Sequence, residues 1–166
     1  MIDWEQIREE QGPAVWAVAY RILAHHEDAR DCCQEVFWEA ISSPQSAEVQ
    51  NWGGFLRWLA TRRAIDGLRK RRRHVTQAMI AEPPGPAQVD LVELNETIEI
   101  IRRELARLPE SQAAAFWMSS AEQMTYEQIA EQMQITTNAV GMLIHRARQQ
   151  LKVSLRSLIK GEEPTR

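Results

Sequence analysis

Trp16, Ala19, Tyr20 and Leu23 recur at the i, i+3, i+4, i+7 spacing that sets side chains on one face of an α-helix. Cys33, Val36, Phe37, Ala40 and Ile41 repeat that spacing with an i+8 position added. Two amphipathic helices are predicted, joined by the polar stretch from Ala24 to Asp28, and the second stops at Ser42, Ser43 and Pro44. A third begins near Trp52 and carries Phe55, Trp58, Leu59, Ile65 and Leu68 on its apolar side before it runs into a block of arginines. From Thr76 to Val89 the periodicity lapses, and Pro83, Pro84, Gly85 and Pro86 bias the backbone towards extended conformations that no helix continues through.

Beyond that break, Leu94, Ile98, Ile101, Leu105 and Leu108 mark a fourth helix, closed by Pro109, which suits the first turn of the next. Phe116 and Trp117 are expected to add core bulk. Thr125 followed by Gln128 is a capping-box pattern that opens a short helix with Ile129 and Met133 on its inner side. Gln134, Ile135 and Thr136 form a tight turn, and Val140, Leu143, Ile144, Ala147 and Leu151 give the following helix a clean apolar stripe. No run of alternating β-branched residues occurs, and no internal repeat. The reading is all-α: two small helical domains, residues 1–75 and 94–160, joined by a flexible linker over 76–93 and followed by a tail, 161–166.

Length and composition agree with that division. A chain of 166 residues accommodates two compact modules, and 44% hydrophobic with 26% charged residues is ordinary globular composition. Met1 to Gln11 is polar and acidic, and nowhere do eighteen apolar residues run together, so a cytoplasmic protein without membrane insertion is expected. Cys32 and Cys33 are neighbours within a helix, a placement suited to small buried hydrophobes rather than a structural disulfide or a four-ligand metal site. The net charge of −3 hides strong local clustering. Acids dominate from Asp3 to Glu39, while Arg62, Arg63, Arg69, Lys70, Arg71, Arg72 and Arg73 form a basic block opposed within it only by Asp66.

Three constellations carry candidate chemistry. The helix, tight turn, helix pattern near the C-terminus is that of a helix-turn-helix, whose second helix reads base edges in the major groove. Thr137, Asn138, Gly141, Met142 and His145 fall on its outer side; Thr125 and Thr136 stand at the two helix starts, and Arg146, Arg148 and Lys152 are placed to hold phosphates. Asn138 is able to make a two-point hydrogen bond to adenine. The basic block continues a helix that also carries Trp52, Phe55 and Trp58, and cations beside aromatic rings suit opened DNA, whose unstacked bases seek a π-face. Asp28, Asp31, Glu35 and Glu39, with Gln34, form an acidic strip along the second helix that would repel DNA and attract a basic protein surface. Each has a plainer counterpart: an ordinary helical hairpin, a solvated helix end with core aromatics, a solubilising face. His25, His26, Asp28, Asp31 and Glu35 lack the inward convergence of a hydrolytic metal centre, so no catalytic residue, metal or cofactor is expected.

Taken together the motifs resemble a family. Asp28 to Phe37, with Gln34 and Glu35, followed by Phe55 to Arg69, resembles region two of the extracytoplasmic-function sigma factors of RNA polymerase. Leu105 to Pro109, Met124 to Glu131 and His145 to Leu151 resemble region four. The resemblance covers nearly the whole chain. It implies a non-enzymatic initiation subunit that binds core RNA polymerase through Asp28, Asp31, Gln34 and Glu35. Trp58, Arg62, Arg63 and Arg69 to Arg73 would meet the downstream promoter element as it melts, while the helix-turn-helix reads the upstream element. Promoter DNA and an anti-sigma factor are the other implied partners. The chain departs from the pattern at Arg62, where the family has asparagine, and at Gly141, Met142 and Leu143, where it has a basic-polar triplet. Ala114 and Ala115 replace the usual arginine and glutamate of region four's first helix. A sigma-like adaptor, or a plain helix-turn-helix regulator with weakened promoter contacts, is the alternative.

Overall fold

Asp3 opens the first helix by accepting a hydrogen bond from the Gln6 backbone N–H at 3.0 Å, which satisfies one of the donors that a helix start leaves unpaired. A computed structural model describes residues 2–44, 48–78 and 92–159, and side chains except those of 72–78, 92–98 and 157–159. Seven helices are seen among the described residues: α1 (Trp4–Leu23), α2 (His26–Ser42), α3 (Trp52–Ala78), α4 (Val92–Leu105), α5 (Glu110–Ser120), α6 (Tyr126–Met133) and α7 (Thr137–Ile159). No strand occurs among those residues, in agreement with the all-α reading. α3 runs three residues past the expected boundary at 75; most of the expected linker, and the tail, lie outside the described residues.

Local chemistry sets the helix ends. His25 caps α2, its Nδ1 accepting from the Asp28 N–H, and Asn51 Oδ1 accepts from Gly54 N–H at 3.0 Å at the start of α3. The capping box at Thr125 is complete: Thr125 Oγ1 accepts from Gln128 N–H, and Gln128 Oε1 accepts from Thr125 N–H at 2.9 Å. Thr136 Oγ1 accepts from Ala139 N–H at 3.1 Å and opens α7. α1 and α6 both end on a left-handed residue, Ala24 and Gln134, whose N–H turns back to a carbonyl of the last turn.

α1, α2 and α3 bury Val15, Val18 and Ile22 against Ala29, Cys32, Val36 and Ala40, and against Leu56, Leu59 and Ile65. α5, α6 and α7 enclose Met118, Ile129, Val140, Ile144, Ala147 and Leu151, with Leu105 and Leu108 beneath them. The predicted stripes of the first two helices are rotated relative to these cores. Tyr20 and Ile41 are exposed and Trp16, Cys33 and Phe37 only half-buried, while Val15, Val18, Ala29 and Cys32 face inward. Small residues at 19, 29, 32 and 40 let the helices approach closely, so the bulky rings are left at the edge of the contact. Phe116 and Trp117 are likewise peripheral, and the alanines at 113, 114 and 115 take the centre.

α3 is shared. It packs on α1 and α2 on one side and on α5 and α6 on the other, so the two helical units meet along it.

Candidate nucleic-acid interface

α6, the turn at 134–136 and α7 form the expected helix-turn-helix, and Ile129, Val140 and Ile144 brace its two helices. On the outer side of α7, Thr137, Asn138, Met142, His145, Arg146 and Arg148 are all exposed, with Met142 at 49% the one large apolar side chain among them. Gly141 is half-buried because the Tyr126 ring lies over it: a Cβ built there would meet Tyr126 Cε2 at 3.7 Å, an ordinary contact. The hydroxyls of Thr125 and Thr136 are engaged as helix caps. Next to the first cap, hydrogen bonds from its own backbone N–H and from the Thr125 side chain hold the Glu127 carboxyl below the usual carboxylate range.

The second candidate face lies along α3. The Arg62 guanidinium stands 5.1 Å from the centre of the Trp58 ring, a cation–π pair that continues an aromatic row through Phe55 and Trp52 to Trp4. Phe55 is buried; Trp58 and Trp52 are half-buried and packed against the core. A cavity of about 480 Å³ opens beside this row, between Asn51, Phe55, Trp58 and Arg62 on one side and residues 131–134, at the end of α6 and the start of the turn, on the other.

The arginines of α3 whose side chains are described do not stand free in solvent. Arg62 and Arg63 both bind the Glu39 carboxylate, Arg63 at 2.7 Å, and Arg63 reaches Glu35 at 3.5 Å. Burial alone would lower the pKa of the Arg63 guanidinium, but the Glu39 hydrogen bond and the charges of Glu39, Glu35 and Asp66 outweigh it and hold the group above its ordinary value. Arg71 donates to the Leu23 carbonyl at 3.2 Å and pairs with Asp28, and Lys70 pairs with Asp66 at 3.0 Å. The side chains of Arg72 and Arg73 are outside the described set. The acidic strip of α2 and the part of the basic block up to Arg71 therefore face each other across one cleft, lined by Asp28, Asp31, Glu35, Arg63, Lys70 and Arg71.

Asp31 and Gln34 are exposed. Gln34 borders an apolar groove between α1 and α2 with Trp16, Phe37, Trp38 and Ile41, and Trp38 is 73% exposed. The two histidines of the metal reading are used structurally, His25 as a cap and His26 with its ring edge-on to Trp16 and Tyr20.

Sequence reasoning missed the residues that join the two units. Arg102 of α4 donates to the carbonyls of Ile22 and Arg21 at 2.9 and 3.1 Å, and so caps the end of α1. Arg69 of α3 makes the converse link, donating to the carbonyls of Ala106 and Leu108 just beyond α4. Arg21 pairs with Glu122 at 3.1 Å. Glu110, at the start of α5, lies 3.7 Å from Arg62 Nε and 4.0 Å from Arg69 Nη1. No local pattern marks such contacts, because an arginine that caps a distant helix looks in sequence like any surface cation.

Comparison with known proteins agrees with this architecture. Residues 7–74 match the family model for Sigma-70 region 2, and residues 98–151 match that for Sigma-70, region 4. The chain is 28% identical over 159 residues to the ECF RNA polymerase sigma factor SigE of Mycolicibacterium smegmatis, covering 92% of this chain and 61% of that protein. It is 28% identical over 130 residues to ECF RNA polymerase sigma factor RpoE of Cereibacter sphaeroides, covering 75% and 70%. With SigW of Bacillus subtilis it shares 24% identity over 157 residues, covering 87% and 84%. Among solved structures it is similar to the sigma factor RpoE of Bartonella quintana, crystallised with the anti-sigma factor NepR, at a TM-score of 0.55 and 22% identity over 93% of this chain and 97% of that one. That last likeness is one of fold. No helix among the described residues is long and apolar enough to cross a membrane.

Proposed function

The chain belongs to the extracytoplasmic-function (ECF) family of RNA polymerase sigma factors, and from that premise we propose that it directs core RNA polymerase to specific promoters and helps to open them. The N-terminal unit, residues 1–75, would dock on the polymerase through α2, with Asp28, Asp31, Gln34 and Glu35 at the contact, and hold the melted downstream element against α3. The C-terminal unit, residues 94–160, would lay α7 in the major groove of the upstream element.

The observation that supports this reading is the presence in one chain of two unlike surfaces, each suited to a different state of DNA. The exposed start of α7, with Asn138 and Thr137, suits an intact groove. The Trp58–Arg62 pair suits a strand already out of the helix. Unstacking a base step costs a few kcal/mol, and stacking a freed base on an aromatic ring returns about 1–3 kcal/mol, so the protein shifts a melting equilibrium by binding alone. No residue has to make or break a bond; nucleotide addition is the polymerase's chemistry. Exposed Met142, beside half-buried Gly141, replaces hydrogen-bonding readers with a contact suited to a thymine methyl group. An anti-sigma factor is a further expected partner.

Purified protein added to core polymerase should give initiation at fragments that share an upstream motif. Polymerase binding without any promoter preference would leave only the adaptor reading, and sequence-specific DNA binding with no affinity for polymerase would leave a plain regulator.

A further inference from the structure

The three glycines of α3 are required by close packing. A Cβ at Gly53 would come within 2.9 Å of Gln11 Oε1, at Gly54 within 2.7 Å of Gln132 Nε2, and at Gly67 within 3.0 Å of Leu23 Cδ2. Gly141 is different. Apart from its chain neighbours and the backbone of its own helix, a Cβ there would meet only the Tyr126 ring, at an ordinary contact distance of 3.7 Å. Its φ lies outside the left-handed region that favours glycine, and it sits within α7, where glycine is among the poorest helix formers because it has the most backbone freedom to lose. Neither space nor backbone geometry asks for glycine at this position, and helix propensity argues against it.

The place of Gly141 on the helix supplies a reason. Asn138, Gly141, Met142 and His145 follow the i, i+3, i+4, i+7 spacing and share the outer face of α7. The other three carry exposed side chains, so Gly141 leaves a gap among them. A longer side chain at 141 would grow from a Cβ already in contact with the Tyr126 ring and would cover it. Without one, a ring carried by the bracing helix α6 borders the surface that α7 presents. Tyr126 is 36% exposed and Met142 49%, so the gap has an aromatic wall and a thioether wall. The capping box at Thr125 fixes the first turn of α6, and with it the backbone that carries Tyr126.

Such a gap suits a small apolar group. Among the base edges of the major groove, which otherwise present donors and acceptors, the thymine 5-methyl is that group. We propose that Gly141 is a specificity-determining residue: by omitting a side chain it opens a notch between Tyr126 and Met142 that receives the methyl group of one thymine in the upstream promoter element. Tyr126 thereby joins the reading surface, although it belongs to the helix that braces α7. The inference rests on the promoter-binding reading above and adds to it the chemical group read at one position.

The test uses the full chain bound to core polymerase, with duplex promoter fragments mapped from its transcript start sites as probes. Each thymine of the upstream element is replaced in turn by deoxyuridine, which removes the methyl group and keeps every hydrogen-bonding atom. The wild-type complex should lose affinity by about 3- to 5-fold at one thymine, the worth of one buried methyl group. Gly141→Gln lays a side chain across the ring and also favours the helix, so it should bind the thymine and deoxyuridine fragments equally, with a denaturation midpoint no lower than that of the wild type. Tyr126→Ala should lose the methyl preference as well, whereas Tyr126→Phe, which keeps the ring, should retain it. Indifference of the wild type to every thymine methyl, or a methyl preference undiminished in Gly141→Gln and Tyr126→Ala, would overturn the proposal while leaving the promoter reading intact. Absence of promoter-specific binding by every form of the complex would overturn both.

Discussion

Arg102 Nε donates to the carbonyl oxygen of Ile22 at 2.9 Å, so the end of the first helix is closed by a side chain eighty residues away. The last carbonyls of a helix have no partner within it, and a cation there also meets the negative end of the helix dipole. Arg102→Ala should lower the unfolding free energy by about 1–3 kcal/mol, the usual cost of stranding a buried acceptor. Arg102→Lys should recover only part, because one ammonium cannot match the fork that reaches both Ile22 and Arg21. Urea denaturation of the three proteins gives the comparison.

Gln134 sits in the left-handed region, with φ 53°, at the turn of the helix-turn-helix. A side chain there costs about 1–2 kcal/mol that glycine avoids. Gln134→Gly should therefore raise stability by up to about 1 kcal/mol, after the greater freedom of glycine in the unfolded chain is deducted. A fall in the denaturation midpoint would show that the Gln134 side chain contributes more than its strain.

Burial pushes the Cys32 thiol up to about 12, with the charges of Cys33 and Glu35 adding to the effect, and pushes Cys33 up to about 11. The folded chain thus holds both protons more tightly than the unfolded chain, whose thiols titrate near about 8.5. The stability this confers is fully present below that value and falls as pH rises through it towards the folded-state values. Iodoacetamide should label the native protein slowly near neutral pH and the urea-unfolded protein rapidly, with mass spectrometry locating the adducts. Fast native labelling of Cys32 would contradict its burial between α2 and α3, where its Sγ faces the Ala60 carbonyl.

Promoter-complex formation should weaken steeply with salt, because each phosphate neutralised releases condensed counterion. Replacing Arg72 and Arg73 together with alanine should reduce the slope of log K against log salt by about 0.7–0.9 for every phosphate that the variant no longer neutralises. Arg71→Ala is expected to act differently and lower stability as well, since Arg71 holds the Leu23 carbonyl and Asp28. An unchanged slope in the double variant would show that this end of α3 faces away from DNA.

Asn138→Ala should relax base preference at one position of the upstream element, reducing discrimination there by about 1–3 kcal/mol and leaving the other positions unaffected. Competition among promoter fragments altered one base pair at a time measures it directly.

Periodic features were legible in the sequence and long-range ones were not. The capping box at Thr125 and Gln128, the turn at 134–136 and the stripe from Val140 to Leu151 are local, and each is found as read. The first two helices were harder, since ranking positions by bulk pointed to Tyr20 and Ile41, whereas close packing selected Ala19, Ala29 and Cys32. On α3 the basic block suggested a solvent-facing or DNA-facing surface. Its counter-charges at Glu35, Glu39 and Asp28 were visible as an acidic strip, but nothing local revealed that the two would neutralise each other across one cleft.

The burial of α5 has one more consequence. A rod touched by neighbours nearly all round has no watery side to fall back on, so its alanine flank is sheltered only while α3 lies against it. A C-terminal half studied in isolation would therefore display an apolar face that the intact chain keeps hidden.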